Sequence, residues 1–377
     1  MLRLYLRNLD YLMLATALSI TAFGLWILQN ATANDPGALF RHQVEYVIIG
    51  LILMVVVSMI PLAWMRRALW PLYGFVLATT ALVLVAGTTV QGGTRWINLG
   101  AFQFQPSEAA KLLLIIGLAA LLADHRADTP PGRLTWMAIL FVGLPALMVF
   151  KEPDFGTTLV FGAMLFGMLF VFGAPLRHFV WMGLFAAVSI AMVVSILPGA
   201  GIHVLQPYQV ERFTSFWNPQ LDDPLQNGYH LIQSKIAIAH GGVTGTGPAG
   251  ATQTKLGFLP EHATDFIFSV VGEERGFLGA AWLIFLYAVL LWRGLKLITL
   301  SRSVFGSLVA AGIVSVITFQ VFINIGMTIG LAPITGIPLP FMSFGGSHTI
   351  TNLMAIGVLQ AIHVQSRIAA DPRAVAV

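Results

Sequence analysis

Long hydrophobic stretches run along the chain, and short polar segments separate them. A helix needs about 20 largely apolar residues to cross the roughly 30 Å hydrocarbon core of a bilayer. The pattern therefore predicts an all-α polytopic membrane protein, built as a bundle of about ten transmembrane helices. The predicted spans are 10–28, 43–62, 68–87, 107–123, 134–150, 157–173, 177–197, 266–292, 304–331 and 346–366.

The composition agrees with this class of protein. Of the 377 residues 57% are hydrophobic and only 10% are charged, whereas about a quarter of a soluble domain is charged. The chain has no cysteine, which excludes disulfides and thiolate metal sites. The net charge of +4 is modest and gives no indication of a nucleic-acid partner. We therefore expect a single integral-membrane domain, 1–377, whose first apolar stretch is a retained span.

The basic residues predict the orientation of the bundle. With the N-terminus in the cytoplasm, every inner loop and both termini carry at least one Lys or Arg. The short outer loops hold only Arg41, Arg95 and Lys151. Because cytoplasmic loops are enriched in Lys and Arg, this distribution favours ten spans with both termini cytoplasmic.

Acidic residues collect on the predicted outer side. All but four of the 16 lie in outer loops or in the outer halves of spans. One outer loop, 198–265 between spans 7 and 8, is long, and long loops are often functional. Its segments 206–219 and 226–247 are predicted to form short amphipathic helices.

One spacing indicates either a functional pair of charges or a helix start where Glu108 complements the helix dipole and Lys111 extends to the membrane interface. Glu108 and Lys111 are three residues apart at the start of an apolar span, so they share a helix face. Ionisable residues inside membrane segments tend to pair and to mark a pathway. Ser107 just before them is expected to cap the helix. Upstream, Arg95 and Trp96 are compatible with a carbohydrate- or phosphate-binding surface, and Trp96 equally with an interfacial aromatic belt.

Two further outer segments carry polar groups. In KEPDFG, 151–156, Asp154 is either a cap of the next helix or a cavity residue. The segment LAPITGIPLPFMSFGGSHTITN, 331–352, cannot form a regular helix, and irregular backbone near membrane depth is tolerated only inside protein or beside a cavity. We expect Ser347 to cap the last span, and His348 to have a packing or interfacial role rather than a catalytic one.

The stretch FLPEHATDFIFSVVGEERG, 258–276, has charges where a helix enters the membrane. Asp265 is a candidate N-cap. Glu273, Glu274 and Arg275 follow about 12–15 Å further along the helix. Three consecutive charges facing lipid would be prohibitive, so we expect these side chains to line a cavity or to form local ion pairs.

Several stretches resemble one protein family in the order in which that family has them. They are GGTRWINLGAFQFQPSEAAK, PDFGT, ERFTSFWNP, NGYHLIQSKIAIAHGG, LPEHATDFIFSVVGEERG and PLPFMSFGGS. Together they resemble the SEDS family (shape, elongation, division and sporulation), and its elongation members, RodA, more than its division members, FtsW. The resemblance covers most of the chain.

This resemblance implies a peptidoglycan glycosyltransferase of cell elongation and shape maintenance. Such an enzyme polymerises lipid II, an undecaprenyl-pyrophosphate-linked disaccharide pentapeptide, into glycan strands at the outer face of the bacterial cytoplasmic (inner) membrane. The resemblance also implies a complex with a class B penicillin-binding protein, a transpeptidase, through transmembrane helices.

The resemblance assigns roles to individual residues. It implies that Asp265 is the catalytic carboxylate, and it carries Glu108, Lys111 and Trp96 over as site residues. Ser343 lies in the SFGGS motif, where the family often has a Tyr at the position of Phe344, so no phenol is available there.

The chemistry of the implied reaction adds further expectations. A base must lie near the attacking sugar hydroxyl, and the leaving pyrophosphate needs positive charge, for which Lys111, Arg95 and Arg212 are the candidates. No histidine spacing indicates a metal site, and a divalent cation shared with the pyrophosphate, Mg²⁺ or Mn²⁺, stays open. Two alternatives also stay open: a lipid II flippase or transporter, and a membrane scaffold for a transpeptidase.

Overall fold

Within the described residues, each of the ten predicted spans contains a helix. The structure is a computed structural model, and it describes residues 2–32, 38–90, 93–98, 100, 103–126, 128–192, 216, 227–259 and 261–370. The helices are α1 Leu2–Arg7, α2 Tyr11–Ala31, α3 Ala38–Ser58, α4 Leu62–Arg67, α5 Leu69–Ala86, α6 Pro106–His125, α7 Pro131–Lys151, α8 Phe155–Phe172, α9 Leu176–Ala191, α10 Asn227–Gly241, α11 Gly247–Gly250, α12 Thr252–Lys255, α13 Ile267–Leu300, α14 Val304–Ile329 and α15 Gly346–Ile368.

The all-α membrane architecture is confirmed. Eight helices of the described chain are long and apolar enough to cross a membrane: α2, α3, α5, α6, α7, α8, α13 and α14. Helix α9 has 16 described residues, and α15 is long but more polar. The count of ten crossings and the side on which the termini lie therefore stay predictions.

Helix α6 forms the centre of the bundle. It packs against α5, α14 and α15, and side chains around most of its circumference are buried, among them Leu114, Leu118 and Leu122. A helix that is apolar on all sides is suited to a position that other helices surround. Helix α15 packs along α3, and α13 packs against α2 and α14, so that the first two spans lie beside the last three.

A small antiparallel sheet precedes α6, and the all-α prediction missed it. Its strands are β1 Thr88–Val90, β2 Gly93–Asn98 and β3 Gln103–Phe104, paired in the order β1-β2-β3. Thr88 lies opposite Trp96, and Ile97 opposite Phe104. β-branched and aromatic residues favour strands, so the local signal was present between the two predicted spans. The sheet places Arg95 and Trp96 beside the start of α6.

The long loop is described only in its second half. Segment 206–219, apart from Phe216, lies outside the described residues, as does Arg212. The helix predicted within 226–247 is confirmed as α10, which packs on α13 and α14 with Leu231 buried. The single-domain organisation and the boundaries of the loop, 198–265, stay predictions.

Four helix caps were predicted, and one is confirmed. The Asp154 side chain accepts a hydrogen bond from the Thr157 backbone N–H and caps α8. The predictions for Ser107, Ser347 and Asp265 are wrong. Ser107 and Ser347 lie inside the first turns of α6 and α15, and the hydroxyl of each bonds elsewhere. α13 begins one residue later than a cap at Asp265 requires.

Gly276 interrupts helical geometry inside α13. Its φ is +64°, a left-handed value that glycine adopts without the steric cost that a side chain adds. The turn after α10 comes against this point, where Phe277 N–H donates to Gly242 O at 2.9 Å. A Cβ on Gly276 would lie 2.4 Å from Gly245 N and 2.6 Å from Val243 O. Gly276 therefore permits both the break in the helix and the contact with the turn.

We expect Gly276→Ala to lower the free energy of unfolding by on the order of 3 kcal/mol or more, since it adds backbone strain to a clash with main chain. The matched control is Gly162→Ala in α8, where a Cβ meets nothing within 4 Å and the change should be within about 1 kcal/mol. Thermal unfolding of both variants in detergent measures the difference. Equal midpoints would show that the turn does not depend on this contact.

Candidate active site

A cavity of about 640 Å³ brings most of the predicted site residues together. Its walls come from the sheet, the starts of α6 and α8, the turn before α13 and the irregular segment before α15. The predicted residues that line it are Asp265, Glu108, Lys111, Trp96, Arg95 and Asp154, and they are joined by Glu261, Gln320 and His348. Ser343 is buried and is not among the lining residues.

Hydrogen bonds from α14 and from the irregular segment before α15 hold the main chain around Asp265 in place. Phe344 N–H donates to Ala263 O at 2.9 Å, and Ser343 Oγ donates to Thr264 O at 2.5 Å. Asn324 of α14 donates to Asp265 O at 2.9 Å. Three successive carbonyls are thus bonded to groups distant in sequence, which fixes the main chain under the Asp265 carboxylate.

Two residues of this region have left-handed backbones without being glycine. Glu261 has φ +51° and Phe341 has φ +65°. Such conformations are uncommon for residues with a side chain and cluster at functional sites. Glu261 also accepts a hydrogen bond at its Oε2 from Thr264 Oγ1 at 2.9 Å, and its side chain lines the cavity. The left-handed Glu261 backbone and its hydrogen bond from Thr264 therefore define the conformation of the turn that precedes Asp265.

The predicted Glu108–Lys111 pair is confirmed, and it has a third member. Lys111 Nζ lies 2.7 Å from Glu108 Oε2, and both side chains are buried. His348 Nδ1 lies 2.9 Å from the same oxygen. Since an ionised carboxylate only accepts hydrogen bonds, Nδ1 of His348 carries the proton. Asn352 on the next turn contacts the same ring.

His348 is a site residue that sequence reasoning missed, because it was expected to pack. It lies 240 positions from Glu108, and no local pattern connects the two. The available signal was its position at the start of a span beside a glycine-rich segment, where a helix end meets polar groups.

Asp154 joins the starts of two helices. Its Oδ2 accepts hydrogen bonds from Thr157 Oγ1 at 2.9 Å, Ser107 Oγ at 3.2 Å and Gln105 Nε2 at 3.3 Å. The side chain is buried at the edge of the cavity. Both alternatives for this residue therefore hold: it caps α8, and it lies at the cavity wall, where it ties α8 to α6.

From strand β2, the Arg95 side chain reaches the turn between α7 and α8. Its guanidinium donates to the carbonyls of Glu152, at 3.4 Å, and Pro153. The Glu152 carboxyl is buried and has no hydrogen-bond partner among the described residues. Burial, with the nearby Asp154 charge, raises the pKa of Glu152 to about 8, and Arg95 opposes the shift. Glu152 is thus a protonated acid at neutral pH.

Glu273, Glu274 and Arg275 of α13 are not among the residues that line this cavity. The fully buried Glu273 carboxylate accepts from the backbone N–H groups of Gln253, at 2.8 Å, and Thr254, at 3.1 Å, and from Thr254 Oγ1 at 2.7 Å. His240 Nδ1 approaches it at 3.4 Å. Glu273 therefore anchors the polar loop after α10.

The next two residues face α2 instead. Glu274 Oε2 accepts a hydrogen bond from Asn30 at 3.1 Å. The Arg275 guanidinium lies 3.7 Å from the centre of the Trp26 ring, within cation–π range. The expected local ion pairing has a partner for Glu273 in His240, whereas the contacts of Glu274 with Asn30 and of Arg275 with Trp26 are not ion pairs.

The described residues do not form a metal site of protein ligands alone. Within them no group of three or more His, Cys, Asp or Glu side chains lies close enough to hold an ion. We assign a divalent cation no step in the reaction.

Glu152→Gln tests the protonation of the buried acid. Between the ordinary pKa of about 4.5 and the raised value of about 8, the native state binds more protons than the unfolded state, so wild-type stability falls as pH rises. Each pH unit in this window costs at most about 1.4 kcal/mol. Glutamine has no such cost, so the variant should gain in melting temperature over the wild type from pH 5 to pH 8.

The control for this measurement is Glu45→Gln, which removes an exposed carboxyl that lies 3.1 Å from His42 Nδ1. We expect it to change the melting temperature little across the same pH range. A difference between Glu152→Gln and the wild type that does not grow with pH would contradict a protonated Glu152.

Curated proteins of the same length resemble the chain from end to end. "Stage V sporulation protein E" of Bacillus subtilis is 36% identical over 370 residues, covering 95% of this chain and 98% of that protein. "Peptidoglycan glycosyltransferase MrdB" of Escherichia coli is 34% identical over 363 residues, covering 96% and 95%.

Solved structures show the same fold. A chain of the structure described as "Structural coordination of polymerization and crosslinking by a peptidoglycan synthase complex" superposes with a TM-score of 0.80 at 32% identity, over 95% of this chain and 98% of that one. The rod shape determining protein RodA of Thermus thermophilus gives 0.69 at 29% identity, over 94% and 96%. The family model described as a cell cycle protein, FtsW/RodA/SpoVE, matches residues 4–368. The chain belongs to this family.

Proposed function

We propose that this chain is a peptidoglycan glycosyltransferase that polymerises lipid II into glycan strands during cell elongation, with Asp265 as the general base. The observation that carries the proposal is the cavity in which the Asp265 segment meets the buried Glu108–Lys111 pair. The MrdB relative, named as a peptidoglycan glycosyltransferase, and the RodA neighbour support it.

In the proposed reaction, the Asp265 carboxylate takes the proton of a sugar hydroxyl. The hydroxyl oxygen forms a bond to the anomeric carbon of the donor sugar while the bond from that carbon to the undecaprenyl pyrophosphate breaks. The pyrophosphate leaves with the bonding electrons, and an α-linked donor gives a β-linked product. One base and no covalent intermediate suffice for such an inversion, with a sugar hydroxyl replacing the water of inverting hydrolysis.

Lys111 is the proposed partner of the leaving pyrophosphate. Its ammonium is buried at the cavity wall and is held by Glu108, so it needs little rearrangement when negative charge develops. His348 adds a second hydrogen bond to the same carboxylate and helps to fix its direction. Arg95 gives further positive potential from the sheet, and Arg212 stays a candidate on sequence grounds alone. Ser343 acts through the main chain, since its hydroxyl donates to Thr264 O and accepts from the Leu339 N–H.

The polar parts of the substrate need groups that recognise sugar and phosphate at one end of the bundle. Trp96 offers an apolar ring face at the cavity edge, while Glu261 and Gln320 offer hydrogen-bonding groups. Deeper in the bundle, the buried face of α6 from Leu112 to Leu122 is apolar. This distribution supports an enzyme with its site at one membrane face over a flippase, which needs a polar path through the bilayer.

The proposed setting is the bacterial cytoplasmic membrane, with both termini inside and the cavity facing outward. The positive-inside distribution of Lys and Arg supports this orientation. A class B penicillin-binding protein is the proposed partner through transmembrane helices, and the similarity to a chain of a peptidoglycan synthase complex supports it. A scaffolding role for that transpeptidase is compatible with catalysis by the same chain.

Asp265→Asn removes the base while keeping its size. We expect polymerisation of purified lipid II to fall about a thousandfold, within the range that general base catalysis provides. The matched control, Asp128→Asn, changes an exposed aspartate at the other end of the bundle and should polymerise normally. Polymer length is read on gels, and melting temperature establishes folding. Wild-type polymer yield from Asp265→Asn would remove Asp265 as the base.

Lys111→Met tests the leaving-group assignment. Loss of a preorganised charge at a developing anion should lower kcat about a hundredfold, with a smaller change in KM. Glu108→Gln should lower kcat less, and the double variant should be no worse than Lys111→Met alone, because both substitutions act on one ammonium. Lys296→Met, at an exposed position of α13, is the control. A pure KM effect for Lys111→Met would indicate substrate binding without stabilisation of the leaving group.

A further inference from the structure

A second cleft lies at the end of the bundle opposite the cavity. It has a volume of about 210 Å³ and is formed by the end of α1, the start of α2 and the far ends of α13 and α15. Arg293 follows the start of α13 at Ile267 by 26 residues, roughly 39 Å along the helix. The cleft is therefore separate from the proposed active site. The charged residues that line it are Arg7, Asp10, Arg293, His363 and Arg367, and we call it the basic cleft.

The only acid among the described residues of the basic cleft is fully engaged. Asp10 Oδ2 accepts from Arg293 Nε at 2.9 Å and Nη2 at 2.7 Å, and Oδ1 accepts from the Met13 N–H at 3.1 Å. His363 Nδ1 lies 3.8 Å from the same carboxylate. The backbone of Asp10 is also tied to Gln360 of α15 in both directions. Asp10 thus builds the floor of the cleft and neutralises one arginine.

Two further arginines face the cleft without an anion. Arg7 and Arg367 form no ion pair and no side-chain hydrogen bond within the described part of the chain, and both are exposed. Arg7 lies on α1 and Arg367 on α15, so the tertiary structure brings the two side chains to the same cleft. Guanidinium groups bind phosphate oxygens in bidentate fashion. An anion in the cleft would relieve the repulsion between the like charges.

The rim of the basic cleft is apolar and aromatic. Tyr11 and Leu12 line it and are exposed on α2, and the exposed Trp292 adjoins Arg293 on α13. Trp and Tyr at helix ends mark the level of lipid headgroups. Basic pockets between transmembrane helices at a membrane face bind phospholipid headgroups. The anion that fits this position therefore has acyl chains attached.

We propose that the basic cleft binds the phosphodiester of an anionic membrane phospholipid, with Arg7 and Arg367 as its ligands. The acyl chains lie along the exposed Tyr11 and Leu12. The lipid thereby joins α1 and α15 at the membrane face remote from the cavity. A free phosphate ion has the same charged group, so the experiments must separate the two sources.

The wild-type protein gives the first test. We expect its melting temperature to be higher in nanodiscs of mixed phosphatidylglycerol and phosphatidylcholine than in nanodiscs of phosphatidylcholine alone. Native mass spectrometry of the detergent-solubilised protein should show retained phosphatidylglycerol at about tenfold over phosphatidylcholine when both are supplied equally. Equal retention of the two lipids would overturn the proposal without any variant.

The second test uses Arg7→Gln with Arg367→Gln, both exposed and unpaired, so folding should survive. Each basic residue near a membrane surface is worth about fivefold in anionic lipid binding, so the preference should disappear in the double variant. The matched control is Arg133→Gln with Arg177→Gln, two exposed arginines at the starts of α7 and α9, at the same end of the bundle. An equal loss in both double variants would show that only general surface charge attracts the lipid.

The third test identifies the source of the phosphate. Inorganic phosphate and glycerol 3-phosphate are titrated into delipidated wild-type protein, and the melting temperature is followed. We expect little stabilisation by either compared with phosphatidylglycerol. Full stabilisation by a soluble phosphate would overturn a lipid headgroup in favour of a soluble anion. If the double variant proves unstable, the single variants are compared with the wild type by the same lipid competition.

Discussion

The site depends on the need of a non-helical main chain inside the helical bundle for hydrogen-bond partners. Main-chain carbonyls that lie outside a regular helix and are buried among other helices must be satisfied by the protein. Here the carbonyls of Ala263, Thr264 and Asp265 are satisfied from α14 and from the segment before α15. Asn324 also donates to Ile337 O, so one amide holds both irregular segments together. The position of the Asp265 carboxylate follows from this pairing of two breaks in the helical bundle.

Buried charge imposes a second condition. An ammonium at the start of α6 is tolerable only beside a carboxylate, and Glu108 gives that carboxylate to both Lys111 and His348. The arrangement stores positive potential beside a cavity without exposing it to lipid. Asp154 is satisfied by uncharged donors instead, since four of them at the starts of α6 and α8 converge on its side chain.

Sequence patterns predicted the features that depend on residues close together in the chain. Hydrophobic length located the long helices, the spacing of three residues located the Glu108–Lys111 pair, and the proline-rich composition located the irregular segment before α15. The partners of these groups could not be found in this way. The contact of His348 with Glu108 and that of Glu273 with Thr254 depend on how separate segments meet, which no periodicity records. The cap expected at Asp265 was wrong because tertiary hydrogen bonds hold the turn there.

The anchoring of the polar loop by Glu273 has a consequence for how the molecule opens. Thr246 donates to Glu273 O, and main-chain bonds join Gly242 and Val243 to the residues after Gly276. Opening of the whole loop would also take the Gln253 and Thr254 donors away from the buried Glu273 carboxylate, and an unsatisfied buried carboxylate is costly. The loop after α10 and the first turns of α13 therefore form one cooperative unfolding unit, whose backbone amides exchange with solvent together. The loop after α10 looks like a simple connection in the sequence, but its stability is coupled to that of α13, the helix that begins beside Asp265.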